Sequence, residues 1–138
     1  MTRYSRQRML AEVGDEGQRQ LSAARVLIVG VGGLGSPVAM SLAAAGVGTI
    51  RLADDDSVSL DNLQRQILYT EADISSPKAE CAARRLRAMN SAITVEAHVV
   101  RVDKDNIRLL AEGCDVVVDG CDNFATRYIV GDATAEMG

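Results

Sequence analysis

Gly30-Val31-Gly32-Gly33-Leu34-Gly35 sets Gly30, Gly32 and Gly35 in the spacing G-x-G-x-x-G, with Gly33 as a further position without a side chain. The apolar run Val26 to Val29 leads in, and Ser36-Pro37 opens an Ala-rich segment that ends at Ala45. A glycine turn between a strand and a helix lets a phosphate reach the backbone, where free N–H groups and the helix dipole attract it. The same pattern also serves a turn that only packs helix on strand. It does not distinguish NAD from ATP.

The next chemically capable residues follow at defined places. Asp54 closes a second strand-like run at about the 20-residue spacing of a ribose-binding acid; its other reading is a strand-end turn residue. Asp55 and Asp56 extend the acidic run, either facing water or offering a ligand to a cation. "SLDNLQRQIL", Ser59 to Leu68, then supplies Asn62, Gln64, Arg65 and Gln66. Arg65 carries a planar fork that matches phosphate oxygens, whereas a solvated polar loop has the same composition. Lys78 follows Ser76-Pro77 in the first turn of a helical pattern. A cation there opposes the helix dipole; a bound polyphosphate reverses that sign, and an exposed lysine tolerates it.

"VVVDGCDN", Val116 to Asn123, ends a buried strand at Asp119 and presents Asp122 and Asn123 at a helix start. Asp122 is either an N-cap or a ligand for Mg²⁺ beside phosphates. Cys121 reads as a small filler rather than a nucleophile. His98, the only histidine, lies in a strand pattern away from it.

These groups meet only if the chain folds as alternating strands and helices. Strands are expected at Arg25 to Gly30, Thr49 to Asp54, Ile93 to Val100 and Asp115 to Asp119. Helices are expected at Leu34 to Ala45, from Pro77 through Met89, and at Asn106 to Glu112, with a further helical pattern from Asn123. Ser36 reads as an N-cap with Pro37 at the first helical position, and Gly46 and Gly48 end that helix. Met1 to Gln20 reads as one short helix, with Met9, Leu10 and Val13 at helical spacing, followed by a loop broken by Gly14 and Gly17. Asp55 to Asp73 reads as irregular. The fold class is therefore α/β: a Rossmann-like, doubly wound, mainly parallel sheet of about four strands in the order 3-2-1-4, with an N-terminal helix. Right-handed crossovers place Gly30, Asp54 and Asp119 on one edge, where such sheets bind ligands.

Composition agrees. The 138 residues suit one domain, 1–138, and 47% are hydrophobic but only 3% aromatic, so the core is aliphatic. Nineteen acidic against 15 basic residues, net −4, argue against a general nucleic-acid surface. Arg3, Arg6 and Arg8 form one small basic cluster, read as a solvated face. Three cysteines without a CxxC pair suit a reducing cytoplasm. No signal peptide and no run long enough to cross a membrane is read.

"RYSRQ" (Arg3 to Gln7), "RVLIVGVGGLGSP", "AGVGTIRLADDDSVSLDNLQRQIL", "PKAE" and "DGCDN" together resemble the ThiF/MoeB/HesA family, bacterial relatives of ubiquitin-activating enzymes, most closely the ThiF type. The resemblance covers essentially the whole chain. It implies adenylation of the C-terminal glycine carboxylate of a ubiquitin-like sulfur-carrier protein, with ATP and Mg²⁺, in thiamine or molybdopterin biosynthesis. It implies that Gly32, Gly33 and Gly35 cradle the nucleotide, with Gly30 opening the loop. Asp54 and Asp56 lie at the nucleotide, with Asp54 on the ribose. Asn62, Arg65 and Lys78 contact the phosphates, Asp122 serves the metal and the adenylate, and Gln66 and Asn123 also lie at the nucleotide. Arg6 reaches the active site of a partner subunit, which implies a homodimer. The family continues for about as many residues again, with a paired-CxxC zinc site and a sulfur-handling cysteine. Zinc is therefore not expected here. A NAD-dependent oxidoreductase domain and a non-catalytic nucleotide-binding remnant are the alternatives.

Overall fold

Three of the four sheet runs, those at Arg25, Thr49 and Val116, are rich in β-branched or Leu residues and stop at glycine or aspartate, and a more polar run at Thr94 joins them at the edge. The computed structural model describes residues 2–121 and 131. Its strands are β1 (Arg25–Val29), β2 (Thr49–Ala53), β3 (Thr94–His98) and β4 (Val116–Asp119). They pair in parallel in the order β3-β2-β1-β4, as the alternating pattern predicts, with Val29 level with Ala53 and Asp119. The helices are α1 (Ser5–Arg8), α2 (Gly14–Ala23), α3 (Gly35–Ala45), α4 (Lys78–Met89) and α5 (Ile107–Ala111).

The period-2 alternation of β1 divides the core. Val26 and Ile28 pack with Ile50, Leu52 and the small faces of α3 and α4, including Ala39, Ala43, Ala82 and Ala83. Leu27 and Val29 face the opposite side, where Ala53, Val102 and the Ile107, Leu110 and Ala111 face of α5 cover them. Alanine faces bring both helices close to the sheet, so the loops that leave β1 and β2 lie side by side.

One charge sits in this second layer. Arg51, mid-strand in β2, bonds Glu96 Oε2 through Nε at 2.6 Å and donates to the carbonyls of Leu110 and Glu112 at 2.5 and 3.0 Å. A cation on the last carbonyls of α5 answers the negative end of that helix. The Arg51 hydrogen bond also holds the Glu96 carboxyl below the usual glutamate range.

The N-terminal segment departs from expectation. It forms two helices rather than one helix and a loop, with Gly14 starting α2 and Gly17 inside it. Met9 and Leu10 lie between them, 78% and 54% exposed, so their spacing marks no buried stripe. Polar docking at the amino ends of the strands holds the segment instead. Gln7 Nε2 donates to Ala45 O at 2.7 Å and to Gln18 Oε1, and Arg3 donates to Met89 O at 3.0 Å. Asn90, fully buried, donates to Ala43 O at 2.8 Å and to the Tyr4 hydroxyl at 2.7 Å. Gly46 adopts φ +92°, and a Cβ there would stand 2.5 Å from the Tyr4 ring. Tyr4 and Gln7 of "RYSRQ" are therefore docking residues for the end of α3.

Asn90→Ala removes both side-chain donations, to the Ala43 carbonyl and to the Tyr4 hydroxyl, and leaves a gap in the buried site. It is expected to lower unfolding stability by about 1–3 kcal/mol in urea titrations. An unchanged midpoint would contradict the docking role.

Candidate functional site

The carboxyl ends of β1, β2 and β4 and the loop before α4 enclose a cleft of about 540 Å³. Its floor is the turn after β1, and the turn is held by its middle residue. Val31, fully buried, donates its N–H to Asp54 Oδ2 at 2.9 Å, and its carbonyl accepts from the buried Tyr69 hydroxyl. Asp54 Oδ1 takes the Asp56 N–H at 2.7 Å. Burial raises the Asp54 pKa above the ordinary aspartate value, against the pull of these two backbone N–H groups. Each Asp54 oxygen keeps a further lone pair. The ribose assignment therefore has geometric room, and the residue also fixes the turn.

The glycines divide by task. A Cβ on Gly35 would stand 1.7 Å from Gly30 O, and one on Gly30, at φ +87°, would meet Cys121 N at 3.0 Å. Gly30 and Gly35 are thus needed for backbone contact. Gly30 still lines the cleft and Gly35 does not. Gly33 has nothing within 4 Å of a Cβ position, and Gly32 only Gln66 Nε2 at 3.5 Å. This pair is the open floor, a space that two side chains would fill. Ser36 is not an N-cap. It lies in the first turn of α3 and bonds Gly32 O through both N and Oγ, with Leu34 in the capping position.

The cleft is also lined by Asn62, Arg65, Gln66 and Lys78. A short 3₁₀ turn, Leu60–Asn62, places the first of these. Asn62 Oδ1 accepts from Ser59 N at 3.0 Å and Ser59 Oγ at 2.9 Å, a capping box that uses only the amide oxygen. Arg65 is exposed and donates once, to Asp61 O at 3.1 Å. Gln66 is 3% exposed, and its Oε1 has no partner among the described residues. A buried acceptor without a donor costs about 1–3 kcal/mol until a ligand or water meets it.

Lys78 is not the exposed lysine that the sequence also allowed. Its side chain is 6% exposed, and its Nζ lies 3.7 Å from Asp56 Oδ2, on a side chain itself 74% exposed. A buried cation needs a close, desolvated anion, and this long contact to a solvated one is a weak substitute. An open glycine floor and an under-paired buried ammonium fit a polyanionic nucleotide, whereas the Gln66 Oε1 acceptor calls for a hydroxyl or water donor.

Other expected site residues lie elsewhere. Arg6 is exposed on α1, at the amino ends of the strands, and does not line this cleft. Asp122, the expected metal and adenylate residue, and Asn123 lie outside the described residues. Cys121 lines the cleft with its Sγ 2.6 Å from Asp119 Oδ1. Among the described residues no helix is long and apolar enough to cross a membrane. Tyr69 was not legible as a site residue, because one tyrosine after a polar loop carries no periodic signal. Val100, Arg101 and Val102, also on the cleft wall, come from the strand end that sequence patterns place least well.

A parallel sheet in this order, with a glycine turn and basic side chains at its switch point, defines a doubly wound domain of the nucleotide-binding class. The model of the ThiF family matches residues 4–138, and the chain belongs to that family. It is 47% identical over its full length to a "Sulfur carrier protein adenylyltransferase" of Thermus thermophilus, of which it covers 51%. It is 48% identical over 96% of its length to the "SAMP-activating enzyme E1" of Haloferax volcanii, covering 49% of that protein. The chain thus spans about half the length of these curated relatives. Among solved structures, E. coli tRNA N6-threonylcarbamoyladenosine dehydratase in complex with ATP superposes with a TM-score of 0.86 at 30% identity. That match covers 93% of this chain and 52% of the other.

Tyr69→Phe leaves the buried Val31 carbonyl without its donor. The expected outcome is a loss of about 1–3 kcal/mol in unfolding stability and faster hydrogen exchange at the Val31 amide. Wild-type values for both would show that the turn does not depend on Tyr69.

Proposed function

We propose that this domain binds ATP with Mg²⁺ and serves adenylation of the C-terminal glycine carboxylate of a ubiquitin-like sulfur-carrier protein. The observation that carries the reading is the burial of Lys78 in the cleft that holds the open floor at Gly32 and Gly33, with Asn62, Arg65 and Gln66 also lining it. The names of the relatives support the carrier as the partner. A dehydrogenase leaves Asn62, Arg65 and Lys78 without work, since hydride transfer develops no charge on a phosphate.

The chemistry is positional and electrostatic. A carboxylate oxygen attacks the α-phosphorus, a new O–P bond forms, and the bond to the bridging oxygen breaks as pyrophosphate leaves with its electron pair. Nucleophile and target are both anionic, so the barrier falls when cations neutralise the phosphates and the reactants are held in line. Arg65 and Lys78 supply fixed positive charge, Gly32 and Gly33 give close backbone approach, and Asp54 accepts from the ribose hydroxyls. Asp122 would hold Mg²⁺, which would offset further phosphate charge. In a homodimer, Arg6 of each protomer adds a cation to its neighbour's site. The setting is cytoplasmic, and the chain forms a single domain, 1–138, that carries the nucleotide half of the reaction.

The test is calorimetric and kinetic. Wild-type protein is expected to prefer ATP–Mg²⁺ to NAD. In a polypeptide carrying the whole of a ThiF-family protein, Lys78→Ala is expected to lower carrier-dependent pyrophosphate exchange by about 10- to 100-fold, the loss of one charge-assisted contact. Preference for NAD, or undiminished exchange in the variant, would overturn the proposal. ATP binding without any exchange would favour a binding remnant.

A further inference from the structure

Among the described residues that line the cleft, one cation has no task assigned so far. Arg101 stands on the cleft wall between Val100 and Val102, in the segment from β3 to α5. Its side chain is exposed and makes no hydrogen bond or ion pair among the described residues. The backbone that carries it is fixed. Asn106 Nδ2 donates to Arg101 O at 2.9 Å, Asp103 N donates to Asn106 Oδ1 at 2.8 Å, and Asp103 Oδ1 accepts from Asp105 N and Asn106 N at 2.9 Å. Val102 anchors the segment in the core under α5 at 5% exposure.

The surroundings of Arg101 differ from those of Arg65 and Lys78. Val29, Ala53, Val100 and Val102 give the cleft an apolar floor. Such a floor suits a flat heterocycle on one face. A bound base then needs a flat group on its other face, and among the described residues no Phe, Tyr or Trp lines the cleft. The guanidinium of Arg101 is the planar π-type group available there, and guanidinium planes stack on aromatic rings.

We infer that Arg101 is a specificity-determining residue that lies over the purine base of the bound nucleotide and clamps it against the apolar floor. The inference rests on the ATP reading of the cleft and assigns its base end. It makes Arg101 a reader of the base, with no contact to the phosphates.

Calorimetry on the whole chain with two probes, ATP–Mg²⁺ and inorganic tripolyphosphate–Mg²⁺, separates base from phosphate. Arg101→Ala is expected to weaken ATP about five- to tenfold and to leave tripolyphosphate affinity unchanged. Arg101→Lys, which keeps the charge and loses the plane, is expected to behave as Arg101→Ala. Equal weakening of both probes with rescue by Arg101→Lys would make Arg101 a phosphate cation and overturn the inference. Unchanged ATP affinity in Arg101→Ala would overturn it while leaving the ATP reading intact. A wild-type chain that binds no ATP would overturn both.

Discussion

The structure depends on how the backbone of Val31 is held. Its N–H ends on the Asp54 carboxylate and its carbonyl on the Tyr69 hydroxyl. Asp54 follows β2 directly, and Tyr69 closes the polar loop that contains Asn62, Arg65 and Gln66. One residue of the glycine turn thus locks together the ends of two strands and the loop over the cleft. All of these groups are buried or half-buried, so an unmade bond would leave a desolvated polar atom, and the arrangement has one low-energy form. The floor at Gly32 and Gly33 is preorganised by this clamp and by the Ser36 bonds to Gly32 O.

Electrostatic asymmetry follows from the same geometry. Asp54, Asp55 and Asp56 line the cleft beside Lys78, with Arg65 and Arg101 also on its wall. The acids either serve the backbone, as Asp54 does, or face water, as Asp56 does. The Lys78 cation is the group taken out of water, balanced by a 3.7 Å contact to the solvated Asp56 carboxylate and a longer-range attraction to Asp54. The free energy of burying that charge without a close anion is recovered when a polyanion binds. Binding function and marginal local stability therefore share one origin, which is the usual condition of a site built on a rigid sheet.

Much of the frame was legible because periodicity and punctuation agreed. The aliphatic runs punctuated by Gly or Asp became β1, β2 and β4, and the alternation of strand and helix patterns predicted the order β3-β2-β1-β4. The wall residues Asn62, Arg65, Gln66 and Lys78 were legible as a group because polar and basic types cluster where an aliphatic sheet has no need of them. The division of labour among the glycines was not legible, since identical residues at fixed spacing do not reveal which face backbone and which face open space. The docking of the N-terminal segment was also hidden. Its contacts run from Tyr4 and Gln7 to carbonyls tens of residues away, and Gly14, a usual breaker, starts α2 through a positive φ of 58°. Met9 and Leu10 imitate a buried stripe but stay in water because nothing in the described fold covers them.

The central claim is that Gly32 and Gly33 form a preorganised floor for the phosphates of ATP. Amide nitrogen–proton NMR during an ATP–Mg²⁺ titration tests it most directly. The account predicts saturable shifts concentrated at Gly32, Gly33 and Leu34 and at the loop of Asn62 to Gln66, with the Val31 amide shifting little because Asp54 already holds it. Shifts that spare the glycine turn and gather elsewhere, or a Val31 amide that is unprotected before ATP is added, would contradict it.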